Sequence, residues 1–214
     1  MKNNVIGADH EFHNRKFARG WAERFSPTRD RLVLFNIILS ELQASIPEDG
    51  RVVELGIGPG YLASHLLEAM PAIAYTGIDF SHPMLEIANS RLAQYESRVT
   101  FTQANLVKDD WESMLAAPIN AVISTWTLHD LGSQENVYSV YAKAAHVLDT
   151  SSVLLNGDFI KPTGASQIFE AGRFPIARHL ELLTSAGFRD AECLVIFEEE
   201  LEVPTAAQNY ACFK

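Results

Sequence analysis

The chain has 214 residues, enough to bury one sizeable hydrophobic core, and this length predicts a single domain over residues 1–214. Its formal net charge of −10 speaks against a large nucleic-acid interface, which normally needs a basic surface, and favours a small-molecule partner. The chain contains no apolar run of the ~18 residues that a membrane span needs and begins without a hydrophobic signal core, so we expect a cytoplasmic protein with no membrane partner.

Two helices are predicted between Asp9 and Ser45, with a break at Ser26 and Pro27. We interpret residues 1–48 as an N-terminal helical lid and residues 49–214 as the core. Residues 1–31 hold seven Lys or Arg against four Asp or Glu. This excess indicates the solvated face of an amphipathic helix or, alternatively, an arginine that binds a carboxylate of a cofactor or substrate. The basic residues in question are Arg15, Lys16, Arg19, Arg24, Arg29 and Arg31.

An aromatic stripe at near-helical spacing runs through the same stretch. Such a stripe is typical of the packing face of a helix. As a hypothesis, it also closes over a small, partly apolar ligand. Its members are Phe12, His13, Phe17, Trp21 and Phe25.

A glycine-rich turn follows the first predicted strand, residues 51–55. Gly56, Gly58 and Gly60 alternate along this turn. Glycine permits a positive φ and lets the backbone approach a ligand at a helix N-terminus, so the turn predicts a site for a nucleotide-like cofactor. A dinucleotide fingerprint would need its third glycine at position 61, which is Tyr61, and the spacing therefore disfavours a nicotinamide cofactor.

The later elements alternate between strand and helix, which predicts a parallel sheet with helices on both faces. Ser81 is expected to cap one helix with Pro83 in its first turn, and Gly187 is expected to end the last helix. The predicted strands are 51–55, 73–79, 98–103, 119–125, 152–159, 191–197 and 206–213. After the N-terminal pair, helices are predicted over 59–70, from 81 onward, and over 109–116, 133–148 and 175–186.

With Glu54 ahead of the glycines and Asp79 closing the next apolar segment, the run E-x-G-x-G-x-G resembles the class I S-adenosylmethionine-dependent methyltransferases. The resemblance covers roughly residues 50–160 by motif and the remainder by layout. It implies an α/β, Rossmann-like fold with a seven-stranded, mostly parallel sheet, in which the antiparallel last strand lies between strands five and six. It also implies S-adenosylmethionine as the cofactor, bound over the carboxyl ends of strands one to four.

The resemblance assigns residues to the amino-acid and ribose parts of the cofactor. Gly56, Gly58 and Gly60 would line the methionine and ribose, and Glu54 would face the amino-acid end. Asp79 would accept hydrogen bonds from both ribose hydroxyls. The alternative for Asp79 is an acid at a helix N-terminus.

The adenine ring is assigned to the segments after strands two and three. Phe80 and Met84 match the family positions that sandwich the base, and they offer flat and polarizable surfaces. Met84 taken alone is equally a core residue of a helix. Asn105, followed by Leu106, stands where the family usually has an aspartate for the adenine amino group, so a somewhat lower affinity is expected.

Residues 121–131 resemble the family's strand-four motif, which faces the sulfonium and the transferred methyl. Thr125 is assigned to the cofactor, and Trp126 and His129 are the candidate catalytic residues. An aromatic face near a sulfonium contributes ~0.5 to 2 kcal/mol. Core packing remains open for Trp126, as does a loop-holding role for His129 with Asp130 as a helix cap.

We therefore expect an enzyme that transfers a methyl group to a small molecule. The alternatives are methylation of tRNA, another nucleic acid or a protein, a non-catalytic module that binds S-adenosylmethionine, and a nicotinamide oxidoreductase. No zinc-ligand spacing is recognised, and Cys193 and Cys212 are expected to be buried, reduced thiols. The sequence leaves open the accepting atom and the oligomeric state, a homodimer being one option.

Overall fold

A computed structural model describes residues 10–162, 164–165, 168–198 and 209–214. The helices are α1 (Arg15–Arg24), α2 (Arg29–Ser45), α3 (Tyr61–Ala69), α4 (His82–Arg91), α5 (Gln134–Val147) and α6 (Ile176–Ala186). The strands are β1 (Arg51–Leu55), β2 (Ala74–Asp79), β3 (Val99–Gln103), β4 (Ile119–Thr125), β5 (Leu148–Phe159), β6 (Cys193–Phe197) and β7 (Tyr210–Phe213). Among these described helices, none combines the length and apolar character needed to cross a membrane.

The strands form one seven-stranded sheet in the order β3-β2-β1-β4-β5-β7-β6. Strands β1 to β5 are parallel, and β7 is antiparallel to both of its neighbours, β5 and β6. The predicted fold class is confirmed, including the insertion of the last strand between the fifth and sixth. Because β1 to β5 are parallel, their carboxyl ends meet along one edge of the sheet, which is where open α/β sheets bind ligands.

Two apolar layers hold the helices against the sheet. Successive residues of a strand point to opposite faces, so Val52 belongs to one layer and Val53 to the other. Helices α2, α3 and α4 pack on the first face, and α5 and α6 pack on the second. Leu34 of α2 is fully buried and lies against β5, so this N-terminal helix is part of the core.

The predicted helix ends are confirmed. The Ser81 hydroxyl accepts a hydrogen bond from the backbone N–H of Met84 at 3.2 Å, and a proline follows in the first turn of α4. Gly187 ends α6 in the left-handed conformation, with φ +107°. Ser133 caps α5, so the alternative in which Asp130 caps that helix is wrong.

Two elements differ from the prediction by more than one or two residues. The helix predicted over 109–116 is reduced to a 3-10 turn, Glu112–Met114. The Asp109 carboxylate instead accepts from the Asn105 N–H at 2.8 Å, and the fully buried Trp111 donates to the Leu106 carbonyl. Strand β5 begins at residue 148, four residues before the predicted start. Asp9 and residues 206–208 of the predicted elements lie outside the described residues.

The N-terminal helices are attached to the glycine-turn side of the sheet. The Tyr61 hydroxyl donates to the Ala22 carbonyl at 2.8 Å, and the Ser81 hydroxyl donates to the Phe12 carbonyl at 2.6 Å. These two bonds join α1 and the residues before it to the starts of α3 and α4. The first residues of the described chain therefore lie beside the carboxyl edge of the sheet.

Candidate functional site

The glycine turn between β1 and α3 uses left-handed backbone. Gly56 has φ +74° and Gly58 has φ +51°, values that other residues rarely adopt. A Cβ at Gly56 would lie 2.2 Å from Oγ1 of Thr127, whereas a Cβ at Gly58 would meet no atom within 4 Å. Glycine is thus required at position 56 because the backbone there lies against the Thr127 side chain. The space beside the Gly58 backbone is open.

Asp79 at the end of β2 holds this turn in place. Its Oδ2 accepts a hydrogen bond from the Gly58 N–H at 2.9 Å, and its Oδ1 accepts from the Ser81 N–H at 2.8 Å. The Gly56 N–H donates to the Ile78 carbonyl at 2.8 Å. One carboxylate therefore joins the glycine turn to the start of α4.

A cavity of about 370 Å³ opens beside the turn, within the ~300 to 1,000 Å³ range of small-molecule sites. Its wall combines the carboxyl ends of β1, β2 and β4 with residues of the N-terminal helices. Ten of the twelve predicted site residues lie in the wall, namely Glu54, Gly56, Gly58, Asp79, Phe80, Met84, Leu106, Thr125, Trp126 and His129.

The other two predicted residues, Gly60 and Asn105, lie outside that wall. A Cβ at Gly60 would come 3.3 Å from the Ala88 side chain, so this glycine serves the packing of α3 against α4. The Asn105 Oδ1 accepts from the N–H groups of Val107 and Lys108 at 3.0 and 3.1 Å. The amide oxygen predicted to face adenine is therefore engaged in the turn after β3.

Two buried carboxylates stand at the glycine-turn end of the cavity. Burial raises the pKa of Asp79 to about 6, although the N–H groups of Ser81 and Gly58 oppose the shift. Glu54 is 1% exposed, and its Oε2 accepts a hydrogen bond from the Tyr75 hydroxyl at 2.7 Å. Burial raises the pKa of Glu54 to about 8, with Tyr75 opposing and Asp79 adding to the shift. Glu54 is therefore mostly protonated at neutral pH.

An apolar wall adjoins these carboxylates. Met84 and Leu106 are buried, and Phe80 presents its ring to the same cavity. His10 and His13 contact the Phe80 ring edge-on, with centroids 5.3 and 5.2 Å away. A planar, apolar group could stack or slide between such surfaces.

Trp126 follows β4 in an unusual backbone conformation, with φ +49°. Its indole lies under the Arg31 guanidinium, 4.6 Å from the ring centroid, and Tyr210 packs edge-on at 5.4 Å. The indole N–H is buried without a hydrogen-bond partner among the described residues. Positive φ at a bulky residue is rare and often marks a functional position. Of the basic N-terminal residues, Arg31 is the one that lines the cavity.

His129 forms a buried pair with Asp158 of β5. The His129 Nδ1 lies 2.7 Å from Asp158 Oδ1, and the His129 backbone N–H donates to Asp158 Oδ2 at 3.0 Å. Asp158 is fully buried, whereas His129 is 8% exposed and lines the cavity. The carboxylate thus fixes both the ring and the backbone of the histidine.

Neighbouring charges set the protonation of this pair. Burial alone lowers the pKa of His129, but Asp158 and Asp130 outweigh it and hold the pKa above the ordinary 6.5, with Arg173 opposing them. Burial alone would raise the pKa of Asp158, yet His129 brings it below its ordinary value. The site therefore holds an ionised carboxylate beside an imidazole that gains a proton readily.

Sequence reasoning missed Asp158, Glu170 and Arg173. Arg173 is 8% exposed, lies 4.5 Å from the centroid of the Phe159 ring, and pairs with Glu170 at 3.1 Å. Both Arg173 and Glu170 line the cavity. The one available signal was Asp158, a charge that follows the apolar run 153–155 in the same strand, and a charge in such a place is unusual without a partner. No motif marked the other two.

Part of the chain matches known methyltransferases in sequence. Residues 52–151 match a family model described as a methyltransferase domain. Malonyl-[acyl-carrier protein] O-methyltransferase of Magnetococcus marinus is 30% identical over 87 residues, which is 41% of this chain and 31% of that protein. The chain therefore aligns with less than a third of that relative's length.

Solved structures share the fold at low sequence identity. Human N-acetylserotonin methyltransferase in complex with SAM has a TM-score of 0.63 at 14% identity, covering 97% of this chain and 59% of that one. A SAM-dependent methyltransferase from Aquifex aeolicus has a TM-score of 0.64 at 14% identity, covering 94% and 96%. The chain therefore has the class I methyltransferase fold, and its residues 52–151 match a methyltransferase-domain model. The resemblance to the S-adenosylmethionine-dependent class I methyltransferases is thereby confirmed.

Proposed function

We propose that the protein is an S-adenosylmethionine-dependent methyltransferase that acts on a small-molecule acceptor. The observation that supports this most is the division of one cavity into two chemically different ends. One end has the glycine turn with Glu54 and Asp79, and the other has Trp126, which packs against Tyr210, and His129, which pairs with Asp158.

The first end fits the cofactor by the chemistry of its groups. The open face of Gly58 admits a ligand against the backbone. Asp79 already accepts two N–H groups, but each carboxylate oxygen can accept a second hydrogen bond, which suits a pair of ribose hydroxyls. An ammonium group beside Glu54 would favour its ionised form and so offset the effect of burial. Phe80 and Met84 suit an adenine ring.

The chain's own task in such a reaction is mainly positional. When bound, S-adenosylmethionine supplies an activated methyl group and a thioether leaving group. Orientation of the acceptor contributes ~7 to 11 kcal/mol in favourable cases. The aromatic wall would keep water from the methyl group. The Arg31 guanidinium already covers one face of the Trp126 ring, so a sulfonium would have to use the other face.

The lining of the second end supports a small, partly aromatic acceptor. Aromatic side chains line much of the cavity, and the net charge of −10 has the same sign as a nucleic acid and so opposes its binding. N-acetylserotonin, named in one matched structure, is a molecule of this kind. The aromatic residues of the cavity wall, besides Tyr61 and Phe80, are Phe12, Trp21, Phe25, Phe35, Trp126 and Phe159.

The test is a methyl-transfer screen with S-adenosylmethionine labelled in its methyl group. The purified protein is incubated with a library of small-molecule acceptors, and labelled product and S-adenosylhomocysteine are quantified together. We expect equal amounts of the two, absent when either acceptor or protein is omitted. Tight cofactor binding with no transfer to any acceptor would favour the non-catalytic binding module instead.

A further inference from the structure

We propose that the acceptor is an aromatic molecule with a hydroxyl group, that His129 removes the hydroxyl proton, and that Asp158 positions His129 for this transfer. The inference rests on the proposed methyltransferase function and specifies its accepting atom. A base is needed only where the accepting atom must lose a proton before or during attack, as a hydroxyl oxygen must.

The His129–Asp158 geometry fixes one tautomer of the imidazole. Asp158 is ionised and can only accept hydrogen bonds. Nδ1 of His129, 2.7 Å from the Asp158 Oδ1, must therefore carry a proton and donate it. In the neutral ring this leaves the lone pair on Nε2, the nitrogen able to receive a proton. Asp158 is fully buried and does not line the cavity, so it acts through His129.

Several charged groups surround His129 and bear on its titration. Asp130 lies 3.4 Å from Nε2 and would attract the imidazolium formed there. Arg173 opposes protonation of His129, and it pairs with Glu170 at 3.1 Å. Asp158 is further influenced by His179, and Asp130 by His10. The carboxylates favour the protonated ring, while Arg173, which also lines the cavity, opposes its protonation.

Aromatic rings lie near the His129 imidazole and in the same cavity wall. The Phe159 ring meets the His129 ring edge-on, with centroids 4.9 Å apart and an interplanar angle of 86°. The wall of the same cavity also contains Trp21 and Phe25, whose ring centroids are 4.8 Å apart. A flat ring would gain edge-to-face contacts here with its hydroxyl beside His129. An aliphatic amine would find fewer matching surfaces.

The chemical step balances with these groups. The acceptor O–H bond breaks and its proton moves to Nε2 of His129. The oxygen lone pair forms a bond to the methyl carbon as the carbon–sulfur bond breaks, and that bonding pair remains on sulfur. The imidazolium later gives its proton to solvent.

A binding experiment tests the proton transfer without turnover. The probe is 4-nitrophenol, whose ionised form is coloured, bound to the protein with S-adenosylhomocysteine present. We expect the pH at which half of the probe is ionised to fall by about one unit or more when the probe binds to the unmodified protein. His129→Gln should abolish that shift. Asp158→Asn should reduce it, and His146→Gln should leave it unchanged, because His146 is exposed and pairs with Glu112 on the surface.

A rate comparison tests the accepting atom. Phenol and aniline share one ring and differ in the attacking atom, so we expect methylation of phenol at least tenfold faster. His129→Gln should slow methylation of phenol by about 100-fold or more. It should slow that of 4-nitrophenol much less at a pH where this probe is already ionised. Equal losses on both phenols, equal rates for aniline, or no shift in the binding experiment would overturn the inference. Failure to bind S-adenosylhomocysteine would instead overturn the proposed function itself.

Discussion

Asp79 has two roles at the level of single residues, and they are separable. Its oxygens hold the Gly58 and Ser81 N–H groups, which is a structural role, while the same carboxylate faces the cavity as a proposed ribose ligand. The helix-terminus alternative and the cofactor assignment therefore coexist in one side chain. A substitution has to keep the shape of the residue in order to test the second role.

Asp79→Asn is expected to weaken S-adenosylhomocysteine binding by about 2 kcal/mol or more, close to 30-fold, because a charged acceptor for two hydroxyls is lost. Unfolding free energy should also fall by about 1 to 3 kcal/mol, since the new amide N–H meets a backbone N–H. Calorimetric titration and urea unfolding measure the two effects separately. Asp49→Asn, in an exposed loop before β1, is the control and should change neither. Unchanged affinity in the Asp79 variant would reduce this residue to its structural role.

Glu54 predicts a pH dependence of stability. Its pKa is about 8 in the folded protein against 4.5 in the unfolded chain, so between these values the folded state holds one more proton. The free energy of unfolding should therefore decrease as pH rises through this window, with a slope of at most about 1.4 kcal/mol per pH unit from this group.

Glu54→Gln should flatten that part of the stability profile, because the amide does not titrate. Urea unfolding at pH 5, 6, 7 and 8 would show the difference between the two proteins. Glu48→Gln, exposed in the loop before β1, is the matched control. Parallel profiles for the unmodified protein and Glu54→Gln would refute the assigned protonation.

Residues were predictable where a motif fixed their place and not where the fold brought them together. Glu54, Asp79, Phe80 and Met84 follow from spacing along one stretch of chain. Asp158 lies 29 residues from His129, and their contact depends on β5 pairing with β4. Nothing in the sequence around His129 indicates that Asp158 is its partner.

At the scale of elements, the glycine turn packs closely against the residues that follow β4. We expect Gly56→Ala to destabilise the protein by roughly 2 kcal/mol or more, because a Cβ would overlap the Thr127 side chain at a positive φ. Gly20→Ala is the matched control, since this glycine lies inside α1 with no atom within 4 Å of an added Cβ. It should stabilise by roughly 0.5 to 1 kcal/mol. Thermal and urea unfolding compare the pair, and equal effects would contradict the close approach at Gly56.

Helix α1 is expected to shape the acceptor end of the cavity. Trp21 lines it and packs edge-on against Phe12 at 5.3 Å. Trp21→Ala should raise the acceptor KM about tenfold or more. The affinity for S-adenosylhomocysteine should stay within about twofold, because the glycine turn is held by hydrogen bonds to Asp79 and Ile78 and not by the Trp21 ring. Phe17→Ala removes a ring from the same helix outside the cavity wall and should leave KM unchanged. A Trp21 variant with normal folding and normal kinetics would remove the proposed role of the aromatic stripe.

Regular elements were predicted closely because their patterns are local. Strands β1 and β4 match their predicted ranges, whereas the helix predicted over 109–116 shortened to one turn. There, tertiary contacts override the local preference for a helix. Burial of Trp111 and the hydrogen bond from the Asn105 N–H to Asp109 fix a different backbone. Such contacts carry no periodic signal in the sequence.

At the scale of the whole molecule, the sheet order was expected only through the family resemblance. Alternating strands and helices indicate a parallel sheet, but nothing local in the last strand shows that β7 enters between β5 and β6. The N-terminal helices were interpreted as a lid, but no sequence pattern gives the contacts that place them beside the carboxyl edge of the sheet. That placement depends on bonds such as Tyr61 to Ala22, between residues 39 positions apart.

The central claim is that the glycine-turn end of the cavity binds S-adenosylmethionine. Calorimetric titration of the purified protein with S-adenosylmethionine, S-adenosylhomocysteine and NAD tests it most directly. We predict binding of the first two with dissociation constants near the micromolar range, about −8 kcal/mol, and no binding of NAD. Binding of NAD alone, or of none of the three, would contradict the account.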